Sequence, residues 1–309
     1  MDSVEAILTP ILDLFAAYAL PLIMGIILAE LVVLWISKKV KRKKESWISL
    51  LSYGFGALPY FLFFNALQLS IMMWFYQNIR LFTLGAEWYI WVLALVAFDL
   101  VWWLVHFMAH KVRFFWCIHG VHHSPKEMNM SVAIRGSLFD FIQYIHLMIW
   151  LPILGFHPYM VFLCDMIHRL WAVFTHLNET KLKDTPLVDK FLITPSLHRI
   201  HHSSNGVYVD TNFSNMFSFW DRLFGTHQRE LKEVKPVFGI TENDRLNTEK
   251  IFSTQFSLFQ DLIRDMRATP RFQDKVKYLF MPPGWHPTKE SITAKKYREQ
   301  ALQELTSGN

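Results

Sequence analysis

Residues 86–123 run AEWYIWVLALVAFDLVWWLVHFMAHKVRFFWCIHGVHH, and two patterns overlap in them. From about Ala86 to Ala109 the chain is apolar over the ~20 residues that a membrane-crossing helix requires. Trp88, Trp91, Trp102 and Trp103 stand where aromatic belts form. The stretch ends in His106-Phe107-Met108-Ala109-His110, and His119-Gly120-Val121-His122-His123 follows. On a helix, residues three and four apart share a face. HxxxH therefore turns two imidazoles the same way, and HxxHH sets a third beside them.

Further along, His198-Arg199-Ile200-His201-His202 repeats the second pattern. With 14 histidines in 309 residues, one HxxHH arises by chance in roughly one such chain in thirty, and two in about one in a thousand or fewer. Neutral imidazole suits Zn, Cu, Fe and Ni. One structural zinc takes only four ligands and often uses Cys, so it does not account for three boxes; two metal ions at roughly four or five ligands each do. Haem needs only one or two axial histidines, which makes clustered triplets wasteful for it.

The membrane pattern extends outward from the same stretch. Residues from about Ile11 to Ile36 form a first span, apolar apart from Asp13 and Glu30. No Lys or Arg precedes it, unlike a cleaved signal peptide. The run Lys38-Lys39-Val40-Lys41-Arg42-Lys43-Lys44 that follows is cytosolic by the positive-inside rule, which puts the N-terminus outside. Residues Ser49 to Tyr76, with Pro59 as a kink, return across the membrane, and Ala86 to Ala109 cross back. Two shorter apolar segments, Leu138 to Gly155 and Pro158 to Leu177, meet at Gly155-Phe156-His157-Pro158, a turn signal. They read as a hairpin dipping into the bilayer, with Asp165 and Arg169 paired i, i+4. After Lys181 the chain turns polar. Phe252, Phe256, Phe259, Ile263 and Met266 share one helical face, and residues 291–305 suggest an exposed helix.

The expected fold is thus an all-α integral membrane protein, multi-pass, with three transmembrane helices plus a membrane helical hairpin carrying a cytosolic His-rich helical cap. Its parts are 1–110 (spans), 111–230 (His boxes, including the hairpin 138–177) and 231–309 (a cytosolic amphipathic tail). Composition agrees: 52% of residues are hydrophobic and only 18% charged, against about a quarter charged in soluble chains. That excludes disorder. Two cysteines, Cys117 and Cys164, exclude a disulfide scaffold. A net charge of +5, drawn largely from residues 38–44, does not suit a nucleic-acid partner.

The order HxxxH, HxxHH, HxxHH resembles the fatty acid hydroxylase/sterol desaturase superfamily of membrane-bound di-iron oxidases. The flanks His198 to Asn205, Tyr208 to Phe213 and Trp220 to Thr226, with Met128 to Ser131 leading to Arg135, resemble its branch of alkylglycerol monooxygenase-like and bacterial sterol desaturase-like proteins. The resemblance covers about residues 95–230. It implies two iron ions held by His106, His110, His119, His122, His123, His198, His201 and His202, with a ninth ligand at His176; overexpression can load zinc instead. Relatives often carry His, Asn or Gln one turn before that ninth ligand; here the position is Ala172, which leaves water or His168 to fill it. His168 also reads as a hydrogen-bonded core residue. Asp99, Asn129, Asn205, Asp210 and Asp221 are candidates to hold ring N–H groups of the ligands; Asp99 also reads as a buried polar group paired elsewhere, and Asp221 as a cap.

The function so implied is O2-dependent hydroxylation of a C–H bond in an ether lipid, sterol or fatty acyl chain, at the di-metal centre itself. Desaturation or carotenoid hydroxylation is the alternative within the enzymes, and a metal-binding membrane sensor the alternative outside them. The lipid arrives from the bilayer. Gly54-Phe55-Gly56 lacks the glycine pattern of a dinucleotide site, and no bound flavin or haem is expected. Electrons come from a separate electron-transfer protein or a reduced pterin. The sequence does not set the oligomeric state.

Overall fold

The computed structural model describes residues 3–59, 64–178, 186–240 and 246–307. Among these the chain is helical, with only two isolated β-bridges, Leu192 to Phe217 and Ser203 to Phe238. The helices in chain order are α1 (Ser3–Ile36), α2 (Lys43–Pro59), α3 (Asn65–Asn78), α4 (Trp88–Lys111), α5 (Arg113–His123), α6 (Asp140–Leu154), α7 (Pro158–Thr175), α8 (Pro195–His201), α9 (Phe219–Leu223), α10 (Ile251–Ala268), α11 (Phe272–Phe280) and α12 (Ala294–Ser307). The expected change of character at Lys181 lies outside the described residues.

Among the described residues, two helical segments are long and apolar enough to cross a membrane, Ala17–Ile36 and Trp88–Lys111. Of the stretch Ser49 to Tyr76, expected as one span, α2 runs to Pro59 and α3 begins at Asn65, and residues 60–63 between them lie outside the described residues. The hairpin segments form α6 and α7, where Gly155 takes φ +104° at the α6 C-terminus and Pro158 opens α7. Only glycine adopts that backbone without strain, and proline suits a first helical turn.

A buried cluster of Phe98, Met160, Leu163, Cys164, Leu151 and Met72 joins α3, α4, α6 and α7. A second, of Ile27, Leu31, Met130 and Val173, ties α1 to α7. Glu30, a charge inside the first apolar segment, is buried and accepts the backbone N–H groups of Met130 and Asn178 at 2.6 and 2.9 Å. The basic run lies near the second His box: Glu127 accepts the N–H groups of Lys41 and Arg42 at 3.1 and 3.0 Å, and Glu45 that of Lys126 at 2.9 Å.

In the tail helix α10, Phe259 and Met266 of the expected apolar face pack against a buried cluster of Cys117, Leu262 and Tyr278. The helix's buried positions are Thr254, Gln255, Ser257 and Leu262, while Phe252 and Ile263 of the expected apolar face are exposed. The polar residues turn inward because they have partners there. Gln255 bonds to Gly136 O and Leu138 N, and Thr254 Oγ1 accepts from the buried Arg135 guanidinium.

Candidate metal centre

Helix geometry brings the boxes together. α4 stops at Lys111, Val112 is extended at φ −113°, ψ 116°, and α5 starts at the next residue. This one-residue corner folds the last turn of α4 against α5. α8 opens with Thr194 Oγ1 capping Leu197 N and Pro195 in the first turn, as helix starts favour. His176 caps the end of α7.

All nine singled-out histidines meet, in two groups. His106, His110, His119, His123 and His201 form one; His122, His176, His198 and His202 form the other. Within each, one nitrogen per ring lies within 4.8 Å of the rest. The groups are neighbours, since His123 of the first stacks on His202 of the second at 4.3 Å between ring centres. Both HxxHH boxes are shared out: His119 and His123 against His122, and His201 against His198 and His202.

Outer partners fix the direction of the rings. His106 Nδ1 donates to Phe213 O at 2.7 Å, His201 Nδ1 to Thr211 O at 2.8 Å and His176 Nδ1 to Ala172 O at 2.6 Å. A carbonyl only accepts, so Nδ1 holds the proton and Nε2 a lone pair. His110 Nδ1, 3.2 Å from Asp210 Oδ1, follows the same rule. The Nε2 atoms then converge. His176 Nε2 is 3.0 Å from His198 Nε2 and 3.2 Å from those of His122 and His202. In the other group His106 to His119 is 2.9 Å and His119 to His123 3.1 Å, while Nε2 of His110 and of His201 is buried with no hydrogen-bond partner.

Converging lone pairs and orphaned buried nitrogens call for a cation. Two nitrogens each ~2.1 Å from one ion and about 90° apart stand about 3 Å from each other. The residues therefore fit a metal in each group. Burial first, then the neighbouring imidazoles, holds His119, His123, His198, His201 and His202 well below the ordinary histidine range. His122 is lowered the same way, and burial lowers His176 to about 4. Neutral imidazole is the form that ligates.

The remaining singled-out residues divide. Asp210 reaches His110 directly and also accepts from Lys111 Nζ. Asp221 acts at one remove: buried, it accepts the N–H groups of Phe213 and Ser214 at 2.8 and 3.0 Å, Trp103 Nε1 at 3.0 Å and Thr226 Oγ1 at 2.7 Å. Asp99, Asn129 and Asn205 spend their side chains elsewhere. Asp99 accepts Met216 N and Phe217 N, both at 3.0 Å, Asn129 accepts from Ser131, and Asn205 from Ser203 and Val237. His168 stands outside both groups, its Nδ1 2.9 Å from Asn215 Nδ2 and its ring against Phe98. Ala172 gives its carbonyl to His176 Nδ1, behind the ring, and adds no atom to the group. Reading side chains missed the anchoring carbonyls of Thr211 and Phe213, because backbone groups carry no residue signature. Lys111 was missed too, although it sits beside a box histidine.

Residues 91–226, which contain all nine histidines, match the family model described as fatty acid hydroxylase. That stretch belongs to that family. It is 32% identical to the alkylglycerol monooxygenase of Homo sapiens over 281 residues, 89% of this chain and 60% of that protein. The chain thus spans about three-fifths of that relative's length. Over 152 residues, 48% of the chain and 45% of the relative, it is 32% identical to an ornithine lipid hydroxylase of Rhizobium tropici. A Delta(7)-sterol 5(6)-desaturase of Gibberella zeae is 24% identical over 150 residues, 47% of the chain and 44% of the relative. No solved structure matches the chain.

Proposed function

We propose that this fatty acid hydroxylase-family chain is a membrane lipid hydroxylase with two irons, one in each imidazole group. The observation that carries the reading is the convergence of Nε2 lone pairs in two adjoining groups. Bound there, the irons supply activation of O2 for insertion of oxygen into a C–H bond, with electrons from a separate donor protein or a reduced pterin. The protein's own residues hold four of the nine rings, His106, His110, His176 and His201, by Nδ1 and keep the groups buried. An apolar groove of about 400 Å³, lined by Ile167, Leu170, Trp171, Phe174 and Met216, runs along the helix that ends in His176. It supports an alkyl or sterol substrate arriving from the bilayer, with an ether lipid, sterol or acyl chain as the class. The approach of Lys41 and Arg42 to Glu127 supports a cytosolic site, with the N-terminus outside and α6 and α7 dipping into the bilayer. The likeness to a sterol desaturase supports desaturation as a second reading, since outcome depends on fine substrate placement.

The test pairs metal analysis and Mössbauer spectroscopy of detergent-purified protein with lipidomics of cells carrying the wild type or His201→Ala/His202→Ala. The expected result is about two irons per chain and a lipid that gains oxygen only with the wild type. A haem or a single structural zinc overturns the di-iron reading, and an unchanged lipid profile overturns the enzymatic one in favour of a sensor.

A further inference from the structure

The segment Asp210 to Phe213 gives three supports to one group and none to the other. Asp210 Oδ1 meets His110 Nδ1 at 3.2 Å, Thr211 O meets His201 Nδ1 at 2.8 Å and Phe213 O meets His106 Nδ1 at 2.7 Å. Asn212, the residue between them, locks the strap. Its side chain bonds to Leu197 O, Gln228 O and Gln228 N at 3.0, 2.7 and 2.8 Å, and its N–H bonds to Thr226 O at 2.9 Å. Asp210 and Asn212 have φ of 56° and 55°, a left-handed backbone that Asp and Asn tolerate better than other side chains. Asp221 holds the far end through Phe213 N, and Lys111 binds the second oxygen of Asp210. The four-imidazole group rests on other elements. His176 is anchored by Ala172 O, and backbone groups of Val132 and Arg135 approach His122.

We propose that Asp210–Phe213 is a positioning strap for the five-imidazole group alone, with Asp210 and Lys111 as its positioning residues, so that the two metal positions fill independently. The inference rests on the two-metal reading above. Asp210 orients His110 with its lone pair inward, and the Lys111 ammonium compensates the carboxylate's charge against α4. Among the four rings whose Nδ1 partner is given above, only His110 has a carboxylate behind it.

The experiment strips the full-length protein in detergent with a chelator and titrates it anaerobically with Fe(II), reading iron per chain and the Mössbauer spectrum. Wild type is expected to bind about two irons, and Asp210→Ala to lose one, its affinity there falling about 10- to 100-fold. One quadrupole doublet disappears while the other keeps its parameters. Adding His176→Ala removes the remaining iron; adding His106→Ala does not. Asp210→Asn keeps an acceptor oxygen and recovers part of the loss. Should Asp210→Ala fail to fold, Lys111→Ala reports the same selective weakening. Two irons at unchanged affinity in the variants overturn the strap, and parallel loss of both overturns independent filling. A wild type that binds no iron instead overturns the two-metal reading itself.

Discussion

Asp221→Asn tests whether the strap is held in the way its hydrogen bonds indicate. Asp221 is fully buried, and its Oδ1 accepts from Trp103, Phe213 and Thr226 while Oδ2 accepts from Ser214. An amide has one acceptor oxygen. Placed at Oδ1, it keeps three neutral bonds, each weaker than its charged counterpart by about 1 kcal/mol, and sets an NH2 against the Ser214 N–H at a cost of about 1–3 kcal/mol. The sum is about 4–6 kcal/mol, a large effect for one substitution. At roughly 2–4 °C per kcal/mol for a domain of this size, the melting midpoint should fall by about 8 °C or more. Circular dichroism melts of the metal-stripped protein in detergent read this without interference from ligand loading. A midpoint within about 2 °C of wild type would refute the reasoning, because four buried donors would then have lost their charged acceptor at almost no cost.

Gly155→Ala should destabilise by about 3 kcal/mol, because the residue has φ +104° and its new Cβ would stand 2.2 Å from Phe82 O; Gly54→Ala, with nothing within 4 Å of the added carbon, should match or exceed wild type in the same melt. Acid should unfold the metal-stripped protein. Burial lowers His176 from 6.5 to about 4, so the unfolded chain binds more protons between those values. The stability is complete above pH 6.5 and is lost as pH falls toward about 4, which a pH series of helical signal will show; a flat signal across that window refutes the burial of a neutral cluster.

Much of the helical architecture was legible because its signals are local. The apolar run ending in His106 and His110 became α4, and Gly155 with Pro158 marked the turn between α6 and α7. Eight of the nine histidines that meet were visible as spacing, and the ninth, His176, only through the family resemblance. Their division into five and four was not, since which ring of an HxxHH joins which neighbour depends on how α5 and α8 are rotated against α4 and α7. On α10 the apolar face was legible in part, but the inward Gln255 and Thr254 were not, since their partners Gly136 and Arg135 lie more than a hundred positions away.

The sharing of each HxxHH box between the two groups acts as a mechanical gauge. His122 and His123 are consecutive residues of α5, and His201 and His202 are consecutive at the end of α8, so on both helices adjoining residues serve different groups. Successive residues advance about 1.5 Å and turn about 100°. The separation of the groups is thereby set by covalent pitch on two sides, and neither can drift from the other without unwinding a helix. Point changes in a box should disable one group, whereas a single inserted residue would rotate every later ring and abolish the pair at once.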